Sequence, residues 1–144
     1  MSTFLLSWLS KQYGALDASV FLREQPGDWL VLESEAGTPT RAAEPVAMRI
    51  ALRRDRTLFT LGRDPASDFV VSDPGVALAH AILAPGDAGG WVIRRASPES
   101  PALLDGLELG DFPLALGSGA RIDLGGARFT YFTGADLHAR LRGS

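Results

Sequence analysis

From Val46 to Phe132 the chain is a succession of short apolar runs, each fenced by glycine, proline or charged residues. Val46–Leu52 alternates apolar and other residues as a half-buried strand does, and Leu58-Phe59-Thr60-Leu61 follows a charged turn. Phe69-Val70-Val71, Ala81-Ile82-Leu83, Trp91-Val92-Ile93, Leu103-Leu104, Arg121-Ile122-Asp123-Leu124 and Arg128-Phe129-Thr130-Tyr131-Phe132 continue the series. Gly86, Gly89 and Gly90 ahead of Trp91 mark a hairpin loop, and Gly125-Gly126 marks a tight hairpin between the last two runs. The 16 Gly and 9 Pro, against 22% charged residues, favour many short elements over long helices. The pattern predicts an all-β sandwich or barrel.

With 144 residues and 46% hydrophobic content the chain has the length for one domain with a real core, and not for two. A formal charge of -3 argues against a nucleic-acid partner or an anionic membrane, both of which need a positive surface. The absence of cysteine excludes disulfides, thiolate metal sites and thiol nucleophiles, and is compatible with a cytoplasmic location. Arginine almost replaces lysine, which suggests a GC-rich bacterial genome.

Ahead of the strand series, Phe4, Leu5, Trp8, Leu9, Gln12 and Tyr13 recur at helical spacing. They predict a short amphipathic helix, capped by Ser2 or Thr3 and ending at Gly14, that docks on its own domain or on a partner. Its apolar run is about a third of the roughly 20 residues a membrane span requires, and no signal peptide is expected. After the Pro26-Gly27-Asp28 turn, Trp29-Leu30-Val31-Leu32 reads as a short strand or brace, and Ser34 to Pro45 as a linker. The expected organisation is an N-terminal extension over 1–45, the sandwich over 46–134 and a helical tail over 135–144, with Asp136–Leu141 forming the helix.

Within the strand series, Gly62-Arg63 is followed by Val76-Ala77-Leu78-Ala79-His80-Ala81, by Ser100-Pro101-Ala102, by Leu104-Asp105-Gly106 and by Leu116-Gly117-Ser118-Gly119-Ala120-Arg121-Ile122-Asp123-Leu124-Gly125. In that order and at those separations the chain resembles a forkhead-associated (FHA) domain from Leu61 to Phe132, a β-sandwich that reads phosphothreonine peptides. The family pattern is Gly-Arg, then Ser-x-x-His, two Asn-Gly pairs and Leu-x-x-Gly-Asp-x-Ile-x-x-Gly. Alanine stands here in the Asp position of the last motif.

The resemblance implies that Arg63 touches the phosphate, that Gly62 and Gly106 serve structure, and that His80 braces the loops by hydrogen bonding inside the fold. A phosphothreonine brings about -1.5 to -2 charges and three acceptor oxygens, so its reader needs converging donors. Here Ala77 takes the place of the phosphate-binding Ser and Leu78 that of the basic residue after it. Each lost charge-assisted hydrogen bond is worth about 1.5 to 3 kcal/mol, and the pair about a hundredfold to more than ten-thousandfold in affinity. Ser100 replaces the Asn that holds the peptide backbone, Ala102 lacks a hydroxyl, Pro101 stiffens the loop, and Asp105 adds a negative charge.

The expectation is therefore a non-catalytic FHA-type protein-interaction module with weakened or lost phosphothreonine recognition, using no cofactor and no metal. Its partner would be a protein, phosphorylated or not, or a Ser/Thr kinase. The alternative is a genuine phosphothreonine adaptor in bacterial Ser/Thr kinase signalling that uses Arg63, aided by Arg53, Arg54, Arg56, Arg94 or Arg95. Arg63 could equally pair with Asp64 or Asp68. Catalysis by His80 or His138 lacks any accompanying nucleophile elbow, metal-spaced histidine pair or phosphate-binding glycine loop.

Overall fold

The computed structural model describes residues 3–35, 45–50, 58–71, 73–87, 90–96, 98–99 and 101–143. In chain order these form β1 (Thr3–Leu5), α1 (Leu6–Tyr13), α2 (Ala18–Glu24), β2 (Asp28–Glu35), β3 (Val46–Ile50), β4 (Phe59–Gly62), β5 (Phe69–Val70) and β6 (Ala81–Pro85). There follow β7 (Trp91–Arg95), β8 (Ala102–Leu104), β9 (Leu107–Glu108), β10 (Leu114–Ala115), β11 (Arg121–Leu124), β12 (Ala127–Phe132) and α3 (Gly134–Arg142). Two sheets result, one ordered β1-β3-β2-β12-β11-β8-β9 and the other β10-β7-β6-β4-β5. Pairing is antiparallel except between β4 and β5.

Period-two alternation decides which side chains enter the sandwich. Ala127, Phe129 and Tyr131 of β12, Leu30 of β2, Met48 and Ile50 of β3, Leu61 of β4 and Leu83 of β6 meet between the sheets in one cluster. The outer face of the larger sheet is buried too. Trp29 and Val31 of β2 and Ala47 of β3 lie beneath Leu6, Leu9 and Tyr13 of α1, Phe21 of α2, and Leu137 and Leu141 of α3. Trp29, Leu30 and Val31 are all fully buried because β2 is covered on both faces, which is why its sequence is continuously apolar rather than alternating.

The helical layer corrects the expected N-terminus. Thr3–Leu5 pair with Met48, Ala47 and Val46 as an edge strand, and the Leu6 amide donates to Pro45 O at 2.9 Å. Helix α1 thus starts at Leu6, and Leu5 at its N-cap supplies no side-chain bond, so neither Ser2 nor Thr3 is the cap. Its C-terminus falls at Gly14 as expected, where a Cβ would stand 2.5 Å from Ser10 O and 3.0 Å from Leu141 O. The helix docks on its own domain: Leu6, Leu9 and Tyr13 face inward at helical spacing. Helix α3 is longer than expected, because Thr133 caps it through Oγ1 and the Asp136 amide at 3.4 Å.

Strand β2 lies between β3 and β12, so the sheet runs across the boundary expected at 45/46. Most of the expected linker, residues 36–44, lies outside the described residues, as do Leu52 and the arginines at 53, 54 and 56. Among the described residues no helix is long and apolar enough to cross a membrane.

Candidate interaction site at the loop pole

Strand β4 delivers Gly62-Arg63 to one end of the sandwich, and the backbone there admits only glycine. A Cβ at position 62 would lie 2.1 Å from Leu78 O and 2.8 Å from Leu78 C, both backbone atoms that cannot give way cheaply. The closeness lets the two loops clamp each other. Arg63 N donates to Ala77 O at 2.9 Å, Asp64 N to Leu78 O at 3.2 Å and the Ser67 hydroxyl to Leu78 O at 3.4 Å. Arg63 itself is exposed, with Nε donating to Val76 O at 3.0 Å. The neighbouring carboxylates are engaged by backbone amides: Asp64 by Ala66 N and Asp68 by Thr60 N, each at 2.9 Å.

His80 is the pin beneath this surface. It is 1% exposed, its Nδ1 accepts from Ala77 N at 3.0 Å, and its Nε2 stands 2.7 Å from Pro101 O. An Nδ1 that accepts must be unprotonated, so Nε2 carries the hydrogen and donates to the Pro101 carbonyl. One imidazole therefore ties the 76–80 loop to the start of β8. The residue's own backbone continues the brace, with His80 N on Leu61 O and Ala96 N on His80 O. Buried Asp73 closes the other flank by accepting from Gly75 N at 2.7 Å.

Of the residues expected to form the recognition surface, Arg63, Ala77 and Leu78 come together. Leu78 is 54% exposed. Ser100 lies outside the described residues. Ala102 is fully buried in the sandwich, since β8 alternates and its first residue faces inward. Asp105 is at the far end of β8, four residues or about 13 Å beyond Pro101. There Asp105 and Gly106, with φ of 51° and 85°, make the turn into β9, and Asp105 exchanges two bonds of 2.8 Å with the Arg121 backbone. Its charge belongs to the hairpin.

Arg95 is held by Asp111 at 3.0 Å, which raises the guanidinium above its ordinary value and lowers the carboxyl below its own. Arg94 donates to Arg95 O at 3.4 Å. Sequence reasoning missed Phe112, 86% exposed in the loop between β9 and β10. Arg95 N donates to Gly110 O, which brings that loop to the same pole. The signal was present in Gly110-Asp111-Phe112-Pro113, where an aromatic sits among turn formers that cannot carry it into a core.

The second histidine stands elsewhere. His138 of α3 is buried in the helical layer, its Nε2 3.0 Å from Tyr13 O and its ring 5.8 Å from that of Phe21. Among the described residues no group of acidic or histidine side chains could hold a metal ion.

The architecture is that of a β-sandwich whose connecting loops gather at one pole, with helices over one face. Residues 59–125 match the family model of the FHA domain. It is similar to the solution structure of the FHA domain of an Arabidopsis thaliana hypothetical protein, with a TM-score of 0.60 and 20% identity over 76% of this chain and 86% of that one. The Slr1951 protein from Synechocystis sp. has a TM-score of 0.57 and 18% identity over 74% and 94% of the two chains. The MEK1 FHA domain in complex with a HOP1 phosphothreonine peptide has a TM-score of 0.54 and 16% identity over 74% and 95%. No curated protein matches the chain in sequence.

Proposed function

We propose that this chain is a non-catalytic, cytoplasmic protein-interaction module that engages a protein partner through the loop pole with little dependence on phosphothreonine. Leu78 carries this reading. It is half-exposed beside Arg63, where a second basic residue would reach a phosphate, and Ala77 next to it has no hydroxyl. The supporting scaffold is intact: Gly62 permits the close approach of the loops, and His80 pins them from below. A pole that keeps its braces while its contact atoms turn apolar suits a phosphate-independent contact, to which exposed Phe112 adds apolar area. Arg63 and Leu78 are the contact residues of this reading.

A second reading is favoured by one observation, the exposed guanidinium of Arg63, whose Nε donates to Val76 O. In it Arg63 still anchors a phosphothreonine peptide, as the MEK1 FHA domain binds the HOP1 peptide. Isothermal titration with matched phosphorylated and unphosphorylated threonine peptide libraries separates the two. The first reading expects the phosphate to improve affinity by less than about tenfold. Micromolar binding that requires the phosphate and disappears in Arg63→Ala would overturn it in favour of the second.

A further inference from the structure

The pole opposite the loops carries an open groove of about 410 Å³ whose walls include Pro26, Asp28, Ile50, Pro85 and Trp91. Strand register fixes its position. Ala81 pairs with Leu61 and Arg95 at the loop end, and Pro85 pairs with Trp91 at the other end, four residues or about 13 Å away. The floor is apolar: Ile50 is fully buried and Trp91 is 7% exposed, its ring edge-on to Phe59 at 5.4 Å. Two prolines in the walls offer no amide hydrogen.

Into this apolar setting the first residue of β2 brings a carboxylate. The Tyr131 hydroxyl donates to Asp28 Oδ2. Burial, the Asp28 hydrogen bond and the Asp28 charge all raise the Tyr131 hydroxyl above its ordinary value, so the tyrosine stays a neutral donor. Among the described residues no cation pairs with Asp28. A part-buried carboxylate oriented by a neutral partner, with an aromatic ring and aliphatic walls beside it, is complementary to a cation on an aliphatic stem.

We infer that this groove binds a basic side chain, arginine or lysine, from an extended segment of a partner protein. The stem lies along Pro85 and the accessible edge of Trp91, and the cationic head rests on Asp28. The groove shares no residue with the loop pole, so it stands or falls independently of the function proposed above.

The test is an NMR titration of the full chain with the peptide Ac-Leu-Arg-Leu-NH2 and with its isosteric, uncharged citrulline counterpart. The arginine peptide is expected to shift the Gly27, Gly90 and Trp91 amides with a dissociation constant of about 1 mM. The citrulline peptide is expected to bind about tenfold more weakly, because the charge-assisted bond is lost. Asp28→Asn, which still accepts from Tyr131, is expected to weaken the arginine peptide by a similar factor. Equal titration by the two peptides, shifts confined to other regions, or no saturation by about 10 mM would each overturn the assignment.

Discussion

The helical layer and the loop pole are held together by opposite means. In the layer, large apolar side chains from three helices meet Trp29, Val31 and Ala47, and the polar contacts are side-chain bonds such as His138 to Tyr13 O, the Ser10 hydroxyl to Leu141 O at 2.8 Å and Arg140 to Glu33. At the pole, backbone amides and carbonyls of two loops bond to each other and to one buried imidazole, while the side chains of Arg63 and Leu78 stand in solvent. Truncating a side chain in the layer removes packing that is the fold's own. On the proposed reading, alanine at 77 and leucine at 78 change what the rim of the pole offers a partner and leave its braces in place.

The largest expected effect lies in the layer. Phe21 is fully buried and stacks on Trp29 at 5.7 Å, so Phe21→Ala should lower unfolding free energy by about 3 to 5 kcal/mol in urea denaturation. Partner binding at the pole should persist wherever the variant is folded. Loss of binding in folded protein would break the separation of the two regions.

His80→Ala should come next, at about 2 to 4 kcal/mol, because it strands the Ala77 amide and the Pro101 carbonyl. Unlike Phe21→Ala it should also loosen the recognition loops, seen as faster amide exchange at Ala77. A variant as stable as the parent with unchanged exchange would deny His80 its bracing role.

A smaller effect joins the layer to the sheet. Burial raises the Glu33 carboxyl, and the hydrogen bonds from Arg140 and Thr130 outweigh that, leaving it below its usual range. A carboxyl lowered in the fold contributes stability above its unfolded titration range, about pH 4.3, and loses it as pH falls through the folded value. Glu33→Gln should thus cost up to about 1 kcal/mol at neutral pH and nothing at the acid end, where the parent's carboxyl is itself protonated. Denaturation midpoints of parent and variant that stay equally far apart at both pH values would contradict this.

The strands of the sandwich were legible because period two is written into Val46–Leu52 and Arg128–Phe132, and the glycine turns fall where the hairpins do. The layer was half legible. Helix α1 announced itself through Leu9 and Tyr13 of the expected stripe, although Leu5 and Trp8 are exposed and Leu6 takes the inward place, whereas α2 buries Phe21 alone and leaves no periodic trace. Strands β9 and β10 have two residues each, all exposed, so nothing in them alternates. At the pole, motif order identified Gly62, Arg63, Ala77, Leu78 and His80 as neighbours. Order along a chain does not state which end of a strand a residue occupies, which is why Asp105 was expected at the pole and stands in the far turn. Ala102 was readable from alternation, since Leu103 beside it is 37% exposed and Ala102 must face the other way.

The most direct test restores what the pole lacks. Ala77→Ser with Leu78→Arg returns a hydroxyl and a guanidinium beside Arg63, on loops whose braces are untouched. Titrated with one phosphothreonine peptide and its unphosphorylated form, the parent should distinguish the two by less than about tenfold, and the double variant should gain about a hundredfold or more for the phosphorylated form. A parent that already binds the phosphorylated peptide at micromolar concentration, with no gain in the double variant, would contradict the central claim that the scaffold is kept and the phosphate contacts are gone.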